Sequence, residues 1–311
     1  MSLTYNAVKL LLWAKNLGAS FERTLTLGHQ GLGCSPRQLH RAVHDFGFTI
    51  TQEQINRCFQ HPPCTDVFAD EFLRFLGAKE IVSVDRSDFE GATRLHDLNA
   101  PFPESDQASF SFVLDGGTLE HVFDYPAALR HSLELVRPGG HFLTIAPANG
   151  YMGHGFYQLS PELFFRVFSK ENGFALRKMV LCELYKANAP FFQVNDPAVT
   201  GMRTELISAR CLDLAVLARR TALVPILACP PQQSDYVACW ERHQEAAVSP
   251  EPAQLGVFWR VRRALNPYWP FWLRHWKRRY AYSRRHGAPK VSNRRHFRRL
   301  ALKEMSNERA E

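Results

Sequence analysis

Three successive strand-like segments of this chain end in aspartate, and the helical segments between and around them restrict the fold more than any other feature. Glu80–Asp85 (EIVSVD), a short run closing at Asp97 (RLHD) and Phe110–Asp115 (FSFVLD) are the three. An earlier run, Arg23–Gly28, is β-branched and apolar and stops at glycine, and His141–Ala146 is a fifth strand. Helical signals alternate with these strands. Ser35-Pro36 opens a helix through about Phe46, since serine caps well and proline suits the first turn. Phe68, Phe72, Phe75 and Leu76 recur near a 3.6 period before Gly77, and 125–136 is closed by Pro138-Gly139-Gly140. Ser160-Pro161 caps another helix through Phe168. Strands and helices in this alternation predict an α/β fold, a doubly wound and mostly parallel sheet with right-handed crossovers. Ligands of such sheets sit outside the carboxyl ends of the strands, so Asp85, Asp97 and Asp115 are expected to line one crevice. A carboxylate there can accept ribose hydroxyl protons or an adenine amino group, although aspartate also follows strands simply because it favours turns.

Charge divides the chain. Residues 251–311 hold 16 Lys/Arg and 4 Glu, a balance of +12, whereas the rest holds 22 Lys/Arg against 26 Asp/Glu, a balance of −4. An acidic body speaks against a nucleic-acid-binding core. No run approaches the roughly 18 apolar residues that span a bilayer. The opening residues read as a buried helix rather than a secretory signal. Seven irregularly spaced cysteines speak against a disulfide framework and for a reducing, cytoplasmic setting. These boundaries give an α/β domain over 1–182 with an N-terminal helix and an irregular insertion at 47–66. A helical or irregular extension follows over 183–250, packed on the core, and then a basic, aromatic tail over 251–311, its polar end (286–311) mobile.

The stretch from about Thr24 to Val180 resembles the class I S-adenosylmethionine-dependent methyltransferases, particularly their small-molecule branch. The resemblance rests on FVLDGGTLEHV (112–122) followed by LVRPGGHF (135–142), and on DRSDFEGAT (85–93) with HDLN (96–99). It implies a Rossmann-like methyltransferase fold and S-adenosylmethionine as cofactor. Asp85 would then lie on the ribose, Asp97 and Leu98 near adenine, and Gly28 beneath the methionine moiety, with Asp115 in the same crevice. The first glycine loop is degenerate. In LTLGHQGLG (25–33), Thr26 stands at the usual acidic position and Gln30 at the second glycine, where a side chain could obstruct close backbone approach.

Methyl transfer is mainly positioning, and a hydroxyl acceptor also profits from a base active near neutral pH. His121 follows the fourth strand, and His154 lies in the glycine- and aromatic-rich segment GYMGHGFYQLS (150–160) after the fifth. These two are the catalytic candidates, and Tyr157 and Gln158 are expected to contact the acceptor; a structural hydrogen-bonding role for either histidine stays open. Residues 156–165 are similar to a segment of methyltransferase-like proteins linked to bacterial surface-polysaccharide synthesis, which implies a sugar hydroxyl as acceptor. Cys58, His61 and Cys64, with Cys34, have metal-like spacing but no adjacent fourth ligand, so no metal is expected. In 258–285 four tryptophans interleave with arginines. That composition suits the face of an anionic membrane, stacking on nucleic-acid bases, or packing on the body with solvated arginines. Nucleic acid is the least favoured of these partners. Three functions compete: a small-molecule or sugar methyltransferase, a catalytically silent scaffold of the same shape, and an RNA methyltransferase.

Overall fold

The computed structural model describes residues 2–60, 67–248, 280 and 290–309. The chain divides into two compact units, one built from 1–194, 208–231 and 298–311, the other from 195–207 and 232–297. The first unit opens with strand β1 (Ser2–Thr4) and helix α1 (Tyr5–Asn16), in which Leu10, Leu11, Leu12 and Trp13 are all buried. A helix buried on every side belongs to the core rather than to its surface. Its polar groups are satisfied there: Asn6 Nδ2 donates to the Lys186 carbonyl at 2.7 Å, and Lys9 Nζ to that of Ala187 at 3.0 Å.

Strand β2 (Arg23–Leu27), the short β3 (Gly31–Gly33) and helices α2 (Pro36–Asp45), α3 (Gln52–Cys58) and α4 (Asp70–Phe75) follow. Ser35 caps α2 in a reciprocal box with Gln38, with Pro36 in the first turn. Then come β4 (Glu80–Asp85), β5 (Arg94–Leu95), β6 (Phe110–Asp115), α5 (Tyr125–Glu134), β7 (Val136–Asn149), α6 (Pro161–Val167), β8 (Phe174–Cys182) and β9 (Phe191–Val194). Helix α7 (Pro197–Thr200), β10 (Leu212–Arg220), α8 (Ser234–Val248), β11 (Phe297–Leu300) and α9 (Leu302–Asn307) complete the described elements.

The main sheet has the order β11-β9-β8-β10-β7-β6-β2-β4-β5. Strands β5, β4, β2, β6 and β7 pair in parallel, while β10 is antiparallel to both β7 and β8. The doubly wound, mostly parallel sheet expected from the sequence is therefore present. Stacking of Phe21 on Phe112, with ring centroids 4.1 Å apart, joins the segment before β2 to β6 in the core.

The domain boundaries change. The extension expected over 183–250 contributes β9 and β10, and β10 is inserted within the sheet, so the fold does not close at residue 182. Its residues 212–217 (LDLAVL) are almost entirely buried because both edges and both faces are covered. The end of the chain is not a mobile tail throughout: β11 and α9 are ordered, and Met305 is buried. Within the second unit, Asp196 caps α7, and Arg203 pairs with Asp235. Apart from Tyr280, the tryptophan-arginine segment lies outside the described residues, as does the His61–Cys64 part of the candidate metal motif. No helix among the described residues is long and apolar enough to cross a membrane.

Candidate active site

From β2 the sheet grows outward through β4 and β5, after which the chain returns to place β6 on the other side of β2. That reversal opens a switch-point crevice at the carboxyl ends of β2 and β6. Register brings the relevant positions level, with Leu27 opposite Val84 on one side and Asp115 on the other. Gly28, Asp85 and Gly116 therefore follow at one height. Gly28 takes a positive φ of 74°, and a Cβ there would lie 3.1 Å from Thr118 Oγ1 and 3.9 Å from Asp85 Oδ2. Only glycine leaves this turn unstrained and its floor open.

Asp85 is half-buried, with Oδ1 accepting from the Ser87 amide at 3.3 Å while Oδ2 is turned toward Gly28. Asp97 stands one strand further out. Its carboxylate accepts from the Asn99 amide and side chain and pairs with Arg86, and these contacts, Asn99 first, hold it below the usual carboxylate range. Leu98 is buried, and its carbonyl faces the ring of His131 at 3.3 Å. The structure thus brings Asp85, Asp97 and Leu98 to one edge of the sheet.

Asp115 does something else. It is fully buried: Oδ1 accepts from the amides of Gly117, Thr118 and Leu119, and Oδ2 from Thr144 Oγ1 at 2.7 Å. It clamps the loop after β6 and is closed off from solvent, which corrects the open crevice position expected from its place in the sequence. Burial raises its pKa against the lowering effect of those hydrogen bonds.

Gln30 is folded into the crevice itself. Its side chain is buried, Nε2 donates to the Leu27 carbonyl at 2.7 Å, and Oε1 is enclosed without a donor. A Cβ on Gly116 would lie 2.2 Å from that oxygen, so the glutamine amide fills the space beside Gly116.

The loops after β6 and β7 meet beside the crevice. A 3₁₀ turn, Leu119–His121, presents Glu120 and His121, and the loop leaving β7 carries His154. The amides of Phe156 and Tyr157 donate to the Glu120 carbonyl at 2.9 and 3.3 Å. Gly155 makes this approach possible, because a Cβ there would lie 3.0 Å from the same carbonyl oxygen. Glu120 is 1% exposed, while the imidazoles of His121 and His154 are 43% and 37% exposed. Glu120 Oε1 lies 3.9 Å from His121 Nε2 and 3.6 Å from His154 Nε2, and the two rings are 5.0 Å apart. Burial, and then the charge of Asp115, push the Glu120 carboxyl up to about 8. Burial, and then His154, lower the pKa of His121.

Tyr157 and Gln158 hold this loop together rather than presenting their polar ends outward. Tyr157 donates from its hydroxyl to the Phe123 carbonyl at 2.6 Å, and Gln158 Oε1 accepts from the Tyr151 amide at 2.8 Å. Phe123 and Phe156, 75% and 67% exposed, meet edge to face at the rim. Two participants escape a reading of the sequence alone. Glu120 lies in the same motif as His121, but only its burial sets it apart from an ordinary surface glutamate. Asp213, from β10, accepts from the Tyr151 hydroxyl at 2.7 Å across 62 residues of chain, a contact for which no local signal exists.

No family model matches this chain, and no curated protein matches it. Among solved structures it is similar to the Burkholderia thailandensis 1,6-didemethyltoxoflavin-N1-methyltransferase, at 15% identity and a TM-score of 0.37, over 70% of this chain and 79% of that one. It is likewise similar to an S-adenosylmethionine-dependent methyltransferase from Mesorhizobium loti (16% identity, TM-score 0.35, 70% and 98% coverage). The branched-chain polyamine synthase of Thermus thermophilus gives 15% identity and a TM-score of 0.35, with 74% and 60% coverage. These are likenesses at low identity. The class that the strand order and the switch-point crevice define is the Rossmann-like, doubly wound α/β fold.

Proposed function

We propose that this protein transfers a methyl group from S-adenosylmethionine to a hydroxyl of a small molecule or sugar. The observation that carries the reading is one edge of one sheet: Asp85 and Asp97 stand at successive strand ends, and Glu120, His121 and His154 gather beside the next. Groups at both ends of the crevice support a cofactor there. Asp85 turns a carboxylate oxygen over the Gly28 cradle, where ribose hydroxyls would donate to it. Gln30 Oε1 is a buried acceptor without a donor, and the α-ammonium of the methionine moiety is a donor of the kind it lacks.

When bound, S-adenosylmethionine supplies an electrophilic methyl group on a positively charged sulfur. Transfer of that methyl to oxygen would require the acceptor hydroxyl to give up its proton. His154 is placed to receive it, half-exposed at the mouth and 3.6 Å from Glu120. The exposed faces of Phe123 and Phe156 suit the apolar side of a sugar ring, which supports a glycan acceptor such as a surface-polysaccharide precursor.

Calorimetric titration with S-adenosylmethionine tests the reading: micromolar binding in the wild type and its loss in Asp85→Ala are expected. One observation favours a second reading, a silent binding protein of the same shape, namely the Gln30 side chain filling the crevice. Gln30→Ala separates the two. Affinity falling about tenfold, as loss of a charge-assisted hydrogen bond requires, supports transfer; no binding in wild type but binding in the variant would make Gln30 a plug.

A further inference from the structure

The Glu120–His121–His154 cluster is not held together by hydrogen bonds. At 3.6 and 3.9 Å the imidazole nitrogens are too far from Glu120 Oε1 for that. Glu120 Oε2 is buried without a hydrogen-bond partner. A buried carboxyl with one oxygen unpartnered thus faces two partly exposed imidazoles.

We propose that Glu120, His121 and His154 bind a single divalent metal ion of the zinc class. Their ligand atoms lie within 4.8 Å of one another. Ligands about 2.0–2.2 Å from a common tetrahedral ion stand roughly 3.4 Å apart, so small side-chain rotations close the set. Two imidazoles and one carboxylate select zinc over magnesium or calcium, which prefer all-oxygen cages. Three protein ligands leave a coordination position open, as in catalytic rather than structural sites.

The backbone builds the arrangement. Phe156 and Tyr157 donate to the Glu120 carbonyl, and the missing Cβ of Gly155 lets the loop seat 3.3 Å from His121 Nδ1, measured from where that Cβ would stand. Both histidines are exposed enough for an ion to enter from solvent.

The ion's part in the reaction rests on the methyl-transfer reading. With the ion bound, an acceptor hydroxyl at the open position would be polarised by the metal and would release its proton to water. His154 would then be a ligand, and its role as base belongs to the metal-free protein. Binding of the metal stands independently of that reading.

The test uses the full chain, purified without a histidine tag, stripped with chelator and titrated with zinc chloride in the absence of S-adenosylmethionine. One equivalent should bind at micromolar Kd or tighter, and at least tenfold more weakly in His154→Ala and in Glu120→Gln. His154 sits on an exposed loop, so its variant keeps the experiment decisive if the buried Glu120→Gln protein does not fold. Cobalt substitution should give a d–d spectrum without a thiolate charge-transfer band. Absence of stoichiometric binding, unchanged affinity in His154→Ala, or a thiolate band assigning the ion to cysteines would each overturn the proposal. The separate cofactor titration with its Asp85→Ala control distinguishes failure of the metal site from failure of the methyl-transfer reading.

Discussion

Replacing Asp213 by asparagine should stabilise the protein at neutral and alkaline pH and leave it unchanged in acid. Asp213 is buried on β10, and the same oxygen, Oδ2, accepts from the Tyr151 hydroxyl at 2.7 Å and the Leu184 amide at 3.3 Å. An asparagine Oδ1 can occupy that position and keep both bonds while removing the charge. Burial raises the carboxyl from 3.8 to about 6, although the Tyr151 and Leu184 hydrogen bonds oppose the shift. A carboxyl with a raised folded-state pKa favours folding in its protonated form. Its contribution is complete below pH 3.8, declines as pH rises from 3.8 to about 6, and stays lost above. A rise from 3.8 to about 6 corresponds to about 3 kcal/mol, an upper figure since the buried site can relax. At pH 8, Asp213→Asn should therefore gain roughly 1–3 kcal/mol, or several degrees in Tm for a unit of this size. Urea unfolding of both proteins at pH 4 and pH 8 measures it. A gain independent of pH, or none at pH 8, would show that the Asp213 charge is compensated and would refute the reasoning.

Two further substitutions probe the core and the loop. His141, on β7, is buried with both ring nitrogens unpartnered, and burial, with Arg219 and Arg177, lowers its pKa from 6.5 to about 4. Staying neutral stabilises the fold above pH 6.5, and that stability drains as pH falls toward 4. His141→Leu should remove roughly 3 kcal/mol of acid sensitivity in that window, read by unfolding at pH 7 and pH 4.5; an equal acid loss in the variant places the sensitivity elsewhere. Gly155→Ala must move the loop away from the Glu120 carbonyl by a few tenths of an ångström. Methyl transfer, followed as S-adenosylhomocysteine release, should fall tenfold or more while Tm drops by only a few degrees. Full activity would mean that the seating of His154 does not matter.

The alternation of strands and helices, the strand ends at Asp85, Asp97 and Asp115, and the cap at Ser35 were all legible in the sequence, because period, turn chemistry and capping are local. Local signals also marked His121 and His154 as neighbours of one crevice, since both follow strands of a parallel sheet. Tertiary structure decided what each residue does there. Asp85 and Asp115 look alike as strand-terminal aspartates, but the β6 loop folds its amides onto Asp115 while Asp85 keeps an oxygen turned toward Gly28. Glu120 differs from a surface glutamate only through the loop of 150–160 closing over it. The strand at 212–220, expected to belong to an appended extension, is inserted between β7 and β8, and it brings Asp213 to Tyr151. Such pairings depend on antiparallel insertion across dozens of residues, where hydrophobic pattern specifies a strand but not its neighbours. Local chemistry determined the elements and the edge that carries the site; burial and long-range pairing determined which carboxylates remain free to act.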